Sequence, residues 1–159
     1  MTSQEEDLHD EPSSVPNKGT DWCQMLGESR TRLCQDFSQT QLRQVSPTAL
    51  AYLGDAVYEL YIRMFYLLPP QRPEAYHRLV VSQVRAETQA EMLRSLYPHL
   101  RSSELEIVRK GRNAATGRPK RIHPETYQQA SSLETLIGYL YLSDFQRLAE
   151  LLQKLQLEK

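Results

Sequence analysis

Twenty residues from Ala49 to Leu68 carry only three charges, Asp55, Glu59 and Arg63, spaced four apart. On a helix that spacing stacks all three on one stripe. Around the stripe the positions are apolar or aromatic, among them Leu50, Tyr52, Leu53, Val57, Tyr58, Leu60, Tyr61, Ile62, Phe65 and Tyr66. A helix that is apolar almost all round is buried on nearly every side. Carboxylates on such a helix are paired or bound to metal, because a bare buried charge is too costly. A purely structural ladder is one reading of the stripe, but a single arginine cannot neutralise two acids. A membrane span is the poorer alternative, since each mid-helix charge adds roughly 2.5–3.5 kcal/mol to insertion and no signal peptide or second span accompanies it.

The segment has clear punctuation. Ser46 followed by Pro47 reads as an N-cap and first-turn proline, and Pro69-Pro70 stops the helix. Further helices are predicted from Pro73 to just before Pro98, from a Ser103–Glu106 capping box through Val108, over 125–142, and over 144–157 with Ser143 as N-cap. No stretch alternates with period two, so the fold class is all-α. The helix at 47–68 has more apolar surface than one small domain can cover, so part of it is expected to face a second copy of the chain.

Residues 1–20 hold five acids and one base and read as a disordered acidic tail; residues 21–45 read as an arm or short helix. The folded domain is expected over 46–159. Without the tail, 18 basic and 15 acidic residues remain, so the net charge of −1 conceals a mildly basic body. Cys23 and Cys34 have neither metal spacing nor a disulfide framework, which points to a reduced, cytoplasmic setting.

Two further segments bear chemistry. Six of the thirteen residues from Arg109 to Arg121 are basic and none is acidic. With Gly111, Gly117 and Pro119 inside it, most of this stretch reads as a loop. Such a cluster suits a phosphate backbone, where Arg and Lys displace condensed counterions; a solvated charged loop is the plainer reading. In the run Ser131–Leu142, Glu134 is the only charge. Each acidic helix also carries a glycine near its acid, Gly54 beside Asp55 and Gly138 one turn after Glu134. Close helix crossing would explain both glycines and bring Asp55, Glu59 and Glu134 together, and a hard cation such as Mg²⁺ would relieve their repulsion. Close crossing is the economical reading; two independent packing sites, each with its acid reaching solvent, are the plainer alternative.

The stretch Leu50-Ala51-Tyr52-Leu53-Gly54-Asp55-Ala56 resembles the signature helix of the ribonuclease III family, and Glu134-Thr135-Leu136-Ile137-Gly138 resembles that family's second acidic motif. The continuation Val57-Tyr58-Glu59, the stretch Val108–Ala114 and the ending Ile137–Leu142 are similar to the short Mini-ribonuclease III branch, which lacks a separate double-stranded-RNA-binding domain. The resemblance spans about residues 46–157, with three motifs in order.

That resemblance implies a homodimeric all-α endonuclease domain, a helical bundle that cuts double-stranded RNA with Mg²⁺ and acts on the large-subunit ribosomal RNA precursor. It leaves room for a large-subunit ribosomal protein as helper. Asp55 and Glu134 match the family's central metal-binding acids and become the expected catalytic pair, with Glu59 and Ser131 in an outer shell. Arg109, Lys110, Arg112, Asn113, Arg118, Lys120 and Arg121 would hold the RNA. Ala51 and Ser131 stand where the longer enzymes carry a glutamate and an aspartate. Loss of those two acids keeps a second reading open, a catalytically silent RNA-binding or ribosome-assembly factor on the same scaffold.

Overall fold

The computed structural model describes residues 37–117 and 119–158. The acidic tail, the first part of the arm with both cysteines, and Arg118 lie outside the described residues. Among the described residues the regular structure is helical throughout. It comprises α1 (Gln39–Gln44), α2 (Pro47–Tyr66), α3 (Pro73–Val84), α4 (Ala86–Leu96), a 3₁₀ turn (Tyr97–His99), α5 (Ser102–Ala114), α6 (Pro124–Ser143) and α7 (Phe145–Gln153).

Helix α2 begins as its sequence dictates: the Ser46 hydroxyl accepts the Ala49 N–H at 3.1 Å, and Pro47 occupies the first turn. Its buried positions, Leu50, Gly54, Tyr58, Ile62 and Tyr66, repeat every four residues and lie on one face. Helix α6 is the other central element and is buried along most of its length. The core joins Tyr58, Ile62 and Tyr66 to Leu133, Leu136, Ile137 and Leu140, with Leu93, Leu96, Val108 and the apolar face of α7 closing it. A smaller cluster of Leu42, Leu50 and Leu142 seats α1.

Three tyrosines of α2 in or against this core each tether a distant backbone carbonyl. Tyr58 donates to Gln83 O at 3.3 Å, Tyr61 to Leu152 O at 3.1 Å and Tyr66 to Glu158 O at 2.7 Å. A buried phenol is favourable when its hydroxyl is satisfied, and here that need ties the end of α3 and the C-terminal segment to α2.

Four sequence expectations are corrected. The single helix expected from Pro73 to Pro98 is two, broken at Arg85, whose backbone is extended. The Thr88 hydroxyl donates to Ser82 O at 2.7 Å and accepts from Arg85 Nε at 3.2 Å, while Tyr58 takes the Gln83 carbonyl. Carbonyls freed by the break therefore have donors. The capping acid of α5 is Glu104, which accepts the Arg101 N–H at 2.8 Å, rather than Glu106. Asp144, rather than Ser143, caps α7 by accepting the Arg147 N–H at 3.0 Å; Ser143 donates back to Tyr139 O. Finally, the segment expected as a basic loop is helical as far as Ala114.

Glu104 has a larger part to play. It is buried and accepts from the buried Arg147 through hydrogen bonds of 2.7 and 3.1 Å, and Arg147 also donates to His99 O at 2.7 Å. Burial alone would raise the Glu104 pKa, but Arg147 and the Arg101 N–H outweigh it and hold the carboxyl below its ordinary value. This pair pins α7 and the 3₁₀ turn to the start of α5.

Candidate active site

Gly54 and Gly138 set the geometry of the site. A methyl group on Gly54 would fall 1.7 Å from the Glu134 carbonyl oxygen, and one on Gly138 would fall 2.0 Å from the Leu50 carbonyl oxygen. Backbone thus touches backbone where α2 crosses α6, an approach that only glycine permits. The crossing places Asp55 beside Glu134. Of the two explanations the sequence allowed for these glycines, close crossing is the one observed.

Asp55 and Glu134 line one cavity of about 220 Å³. Its walls come from three places: Thr48, Ala51 and Tyr52 on α2, Ser131 and Thr135 on α6, and Gly111 with Ala114, Ala115 and Thr116 at the end of α5. Asp55 stands at the exposed rim and Glu134 is half-buried behind it. Burial is the first cause that lifts the Glu134 carboxyl, and the nearby Asp55 charge is the second; together they push it up to about 7. Asp55 is also raised, by burial and then by the charge of Glu59, while its contact with Glu134 works the other way. Two carboxyl groups this close share a proton until a cation or a base intervenes.

Glu59 lies one turn along α2 and is held by Arg63, so it touches the site through its field alone. The expected trio of acids is therefore a pair. Among the described residues no three His, Cys, Asp or Glu side chains gather into a metal cluster. A two-carboxylate set still suits Mg²⁺, which keeps several waters and commonly takes one or two carboxylates plus substrate phosphates. Ser131 is buried in the cavity wall, and its carbonyl accepts the Thr135 hydroxyl at 2.7 Å.

The basic residues fall into two groups. Arg109, Lys110, Arg112 and Asn113 are exposed on the last turns of α5, with Arg109 paired to Glu106 at 2.7 Å. Lys120 and Arg121 are exposed in the connection to α6. Gly111 is helical; its missing side chain lets α5 rest on α6, since a methyl there would come 2.5 Å from the Thr135 hydroxyl. Gly117 alone among the described residues has a positive φ, of 73°, and is the true turn glycine. Of this segment, the neutral Gly111, Ala114, Ala115 and Thr116 form one wall of the acidic cavity, and the basic side chains lie outside that lining.

Three side chains at the site were not singled out from the sequence. Thr48 and Tyr127 line the cavity. Gln89 is buried in α4, and its side-chain contact with Glu134 works against the upward shift of that carboxyl. A signal for Gln89 existed: it lies four residues before Leu93 on the buried face of α4, a polar residue on an apolar stripe.

A family model described as Ribonuclease III domain matches residues 48–144, which includes both acids and the cavity between them. The chain belongs to the ribonuclease III family. A protein of Synechocystis sp. named Mini-ribonuclease 3 is 59% identical over 116 residues, covering 73% of this chain and 81% of that one. Proteins of the same name from Synechococcus sp. and Thermoanaerobacter sp. are 58% and 40% identical, covering 75% and 69% of this chain and 86% and 79% of their own. A crystal structure of a Fusobacterium nucleatum protein superposes with a TM-score of 0.63 at 26% identity, over 74% of this chain and 98% of the other. The resemblance to the short branch read from the sequence is borne out, as is the all-α ribonuclease III fold. Membership places the chain among endoribonucleases, a family that works on RNA with divalent metal. No helix among the described residues is long and apolar enough to cross a membrane.

Proposed function

We propose that this chain is a cytoplasmic, Mg²⁺-dependent endonuclease that cuts double-stranded RNA as a homodimer, in maturation of the large-subunit ribosomal RNA precursor. The observation that carries the reading is the cavity that holds Asp55 and Glu134 together and is walled on one side by Gly111, Ala114, Ala115 and Thr116, neutral residues of the segment that also carries the exposed basic side chains. An acidic pair beside a chain segment that carries exposed basic side chains suits a substrate whose backbone must be neutralised while one of its phosphates meets a cation.

Asp55 and Glu134 would hold Mg²⁺, which when bound lowers the pKa of a water and offsets charge on the scissile phosphate. Glu134, half-buried, and Asp55, at the exposed rim, would both serve as carboxylate ligands, and the cation would favour the ionised form of each. Arg63 holds Glu59 away from the pair, so that its charge tunes Asp55 from one turn off. Lys110, Arg112, Lys120 and Arg121 are exposed and can reach phosphates along an A-form duplex, whose recognition rests on backbone and shape.

Support for a dimer comes from α2. Tyr52 is 86% exposed and Leu60 51% exposed on the face that turns away from the core, with Leu67 continuing the stripe. A two-fold partner laid on that stripe would cover it and set two cavities side by side. The test is incubation of the protein with a long RNA duplex with and without Mg²⁺, with sedimentation of the same sample. Expected are Mg²⁺-dependent products with 5′-phosphates and a dimeric mass. RNA binding without any cleavage would overturn the enzymatic reading and leave a silent RNA-binding factor.

A further inference from the structure

Gln89 is 1% exposed, and among the described residues its Nε2 makes no hydrogen bond of normal geometry. A buried amide without a partner is costly to keep, and an apolar residue of the same shape would serve packing better. The Gln89 side chain nevertheless meets the Glu134 carboxyl group, across the extensive packing of α4 on α6. Helix α4 is held against α6 nearby, where Arg94 donates to Gln129 at 2.6 Å. Glu134 therefore has Asp55 of α2 and Gln89 of α4 as neighbours, and of these two Asp55 lines the cavity.

We propose that Gln89 is a positioning residue whose buried Nε2 donates to the Glu134 carboxylate and fixes the orientation in which Glu134 holds a divalent cation. The inference rests on the reading of Asp55 and Glu134 as the metal-holding pair. Its chemistry is that of an outer hydrogen bond to a ligand. Such a bond holds one oxygen, leaves the other for the cation, and keeps the ionised group from swinging into the space behind it. Loss of such partners typically lowers metal affinity or activity by about 10–100-fold. The unpartnered Nε2 is then the donor available to that first oxygen. Ser131 belongs to the cavity wall and Gln89 does not, so the amide meets Glu134 from the protein interior.

The test is a titration of the full chain with Mn²⁺, followed by electron paramagnetic resonance, using wild type, Gln89→Met, Glu134→Gln and the double variant. Gln89→Met keeps length and apolar contact but removes the donor. It is expected to weaken Mn²⁺ binding about 10–100-fold, to melt no lower than wild type in chelator, and to regain kcat at high Mg²⁺. In the Glu134→Gln background it should change nothing further. A merely structural role would instead lower the metal-free melting temperature and resist rescue by Mg²⁺. Should the methionine variant not fold, Gln89→Asn, whose shorter amide cannot reach as far, is read in the same titration with the same expectation. Wild-type affinity in the folded variant overturns the proposal for Gln89. Wild-type affinity in Glu134→Gln overturns the metal-pair reading itself, so the two failures are distinct.

Discussion

Replacing Glu134 with glutamine should stabilise the metal-free protein at alkaline pH, and the gain should vanish in acid. The Glu134 carboxyl is lifted from 4.5 to about 7, by burial first and the Asp55 charge second. At about 1.4 kcal/mol per pKa unit, keeping it ionised costs the folded chain on the order of 3 kcal/mol. Glutamine removes that charge and also relieves Asp55, while it gives up the proton shared between the two acids; a net gain of about 1–3 kcal/mol remains. The sign follows from linkage. Between 4.5 and about 7 the folded chain holds a proton that the unfolded chain has lost, so wild-type stability falls as pH rises through this window. Below it both states are protonated and the substitution has no charge to remove. Thermal melts in chelator, at matched protein concentration, should therefore show no difference near pH 4 and a higher melting temperature for Glu134→Gln near pH 8, by about 2–8 °C per kcal/mol. Added Mg²⁺ should raise the wild type alone. A variant no more stable than wild type near pH 8 would refute the reasoning, because Glu134 would then be a satisfied structural carboxylate.

Packing and charge set three further outcomes. Gly54→Ala should unfold the protein or weaken it by more than the ~1–3 kcal/mol usual for overpacking, because the added methyl meets the Glu134 backbone rather than a movable side chain; urea denaturation reads it. Arg147→Met should lower stability by about 3–5 kcal/mol by leaving Glu104 buried and charged, and Glu104→Gln in the same chain should restore part of the loss. Neutralising Lys110, Arg112, Lys120 and Arg121 together should flatten the slope of log affinity for a duplex against log salt, by roughly 0.7–0.9 for each phosphate that these side chains neutralise in the wild type; an unchanged slope would place the RNA elsewhere.

Much of the scaffold was legible from local chemistry. Ser46-Pro47 declared the start of α2, and solitary acids beside glycines on two apolar helices foretold the crossing that makes the site. Where reading failed, the deciding interactions were between distant residues. Nothing local distinguishes Glu104 from Glu106 as the capping acid; Arg147, brought in by α7, selects the buried one. The break at Arg85 has neither glycine nor proline and is stabilised by Thr88 and by Tyr58 from another helix. Gly111 looked like a loop residue because its partner, Thr135, lies on α6. Gln89 was readable in principle as a polar residue on an apolar face, but its neighbour Glu134 emerges only once α4 is laid on α6.

Single-turnover cleavage of one RNA duplex at saturating Mg²⁺, with wild type, Asp55→Asn and Glu134→Gln, tests the central claim most directly. Each substitution removes one carboxylate from the pair at nearly constant volume. Both variants should lose far more than the ~10–100-fold typical of an outer partner, while circular dichroism and RNA affinity in chelator stay as in wild type. Cleavage by either variant within about tenfold of wild type would contradict the assignment of Asp55 and Glu134 as the groups that hold the metal.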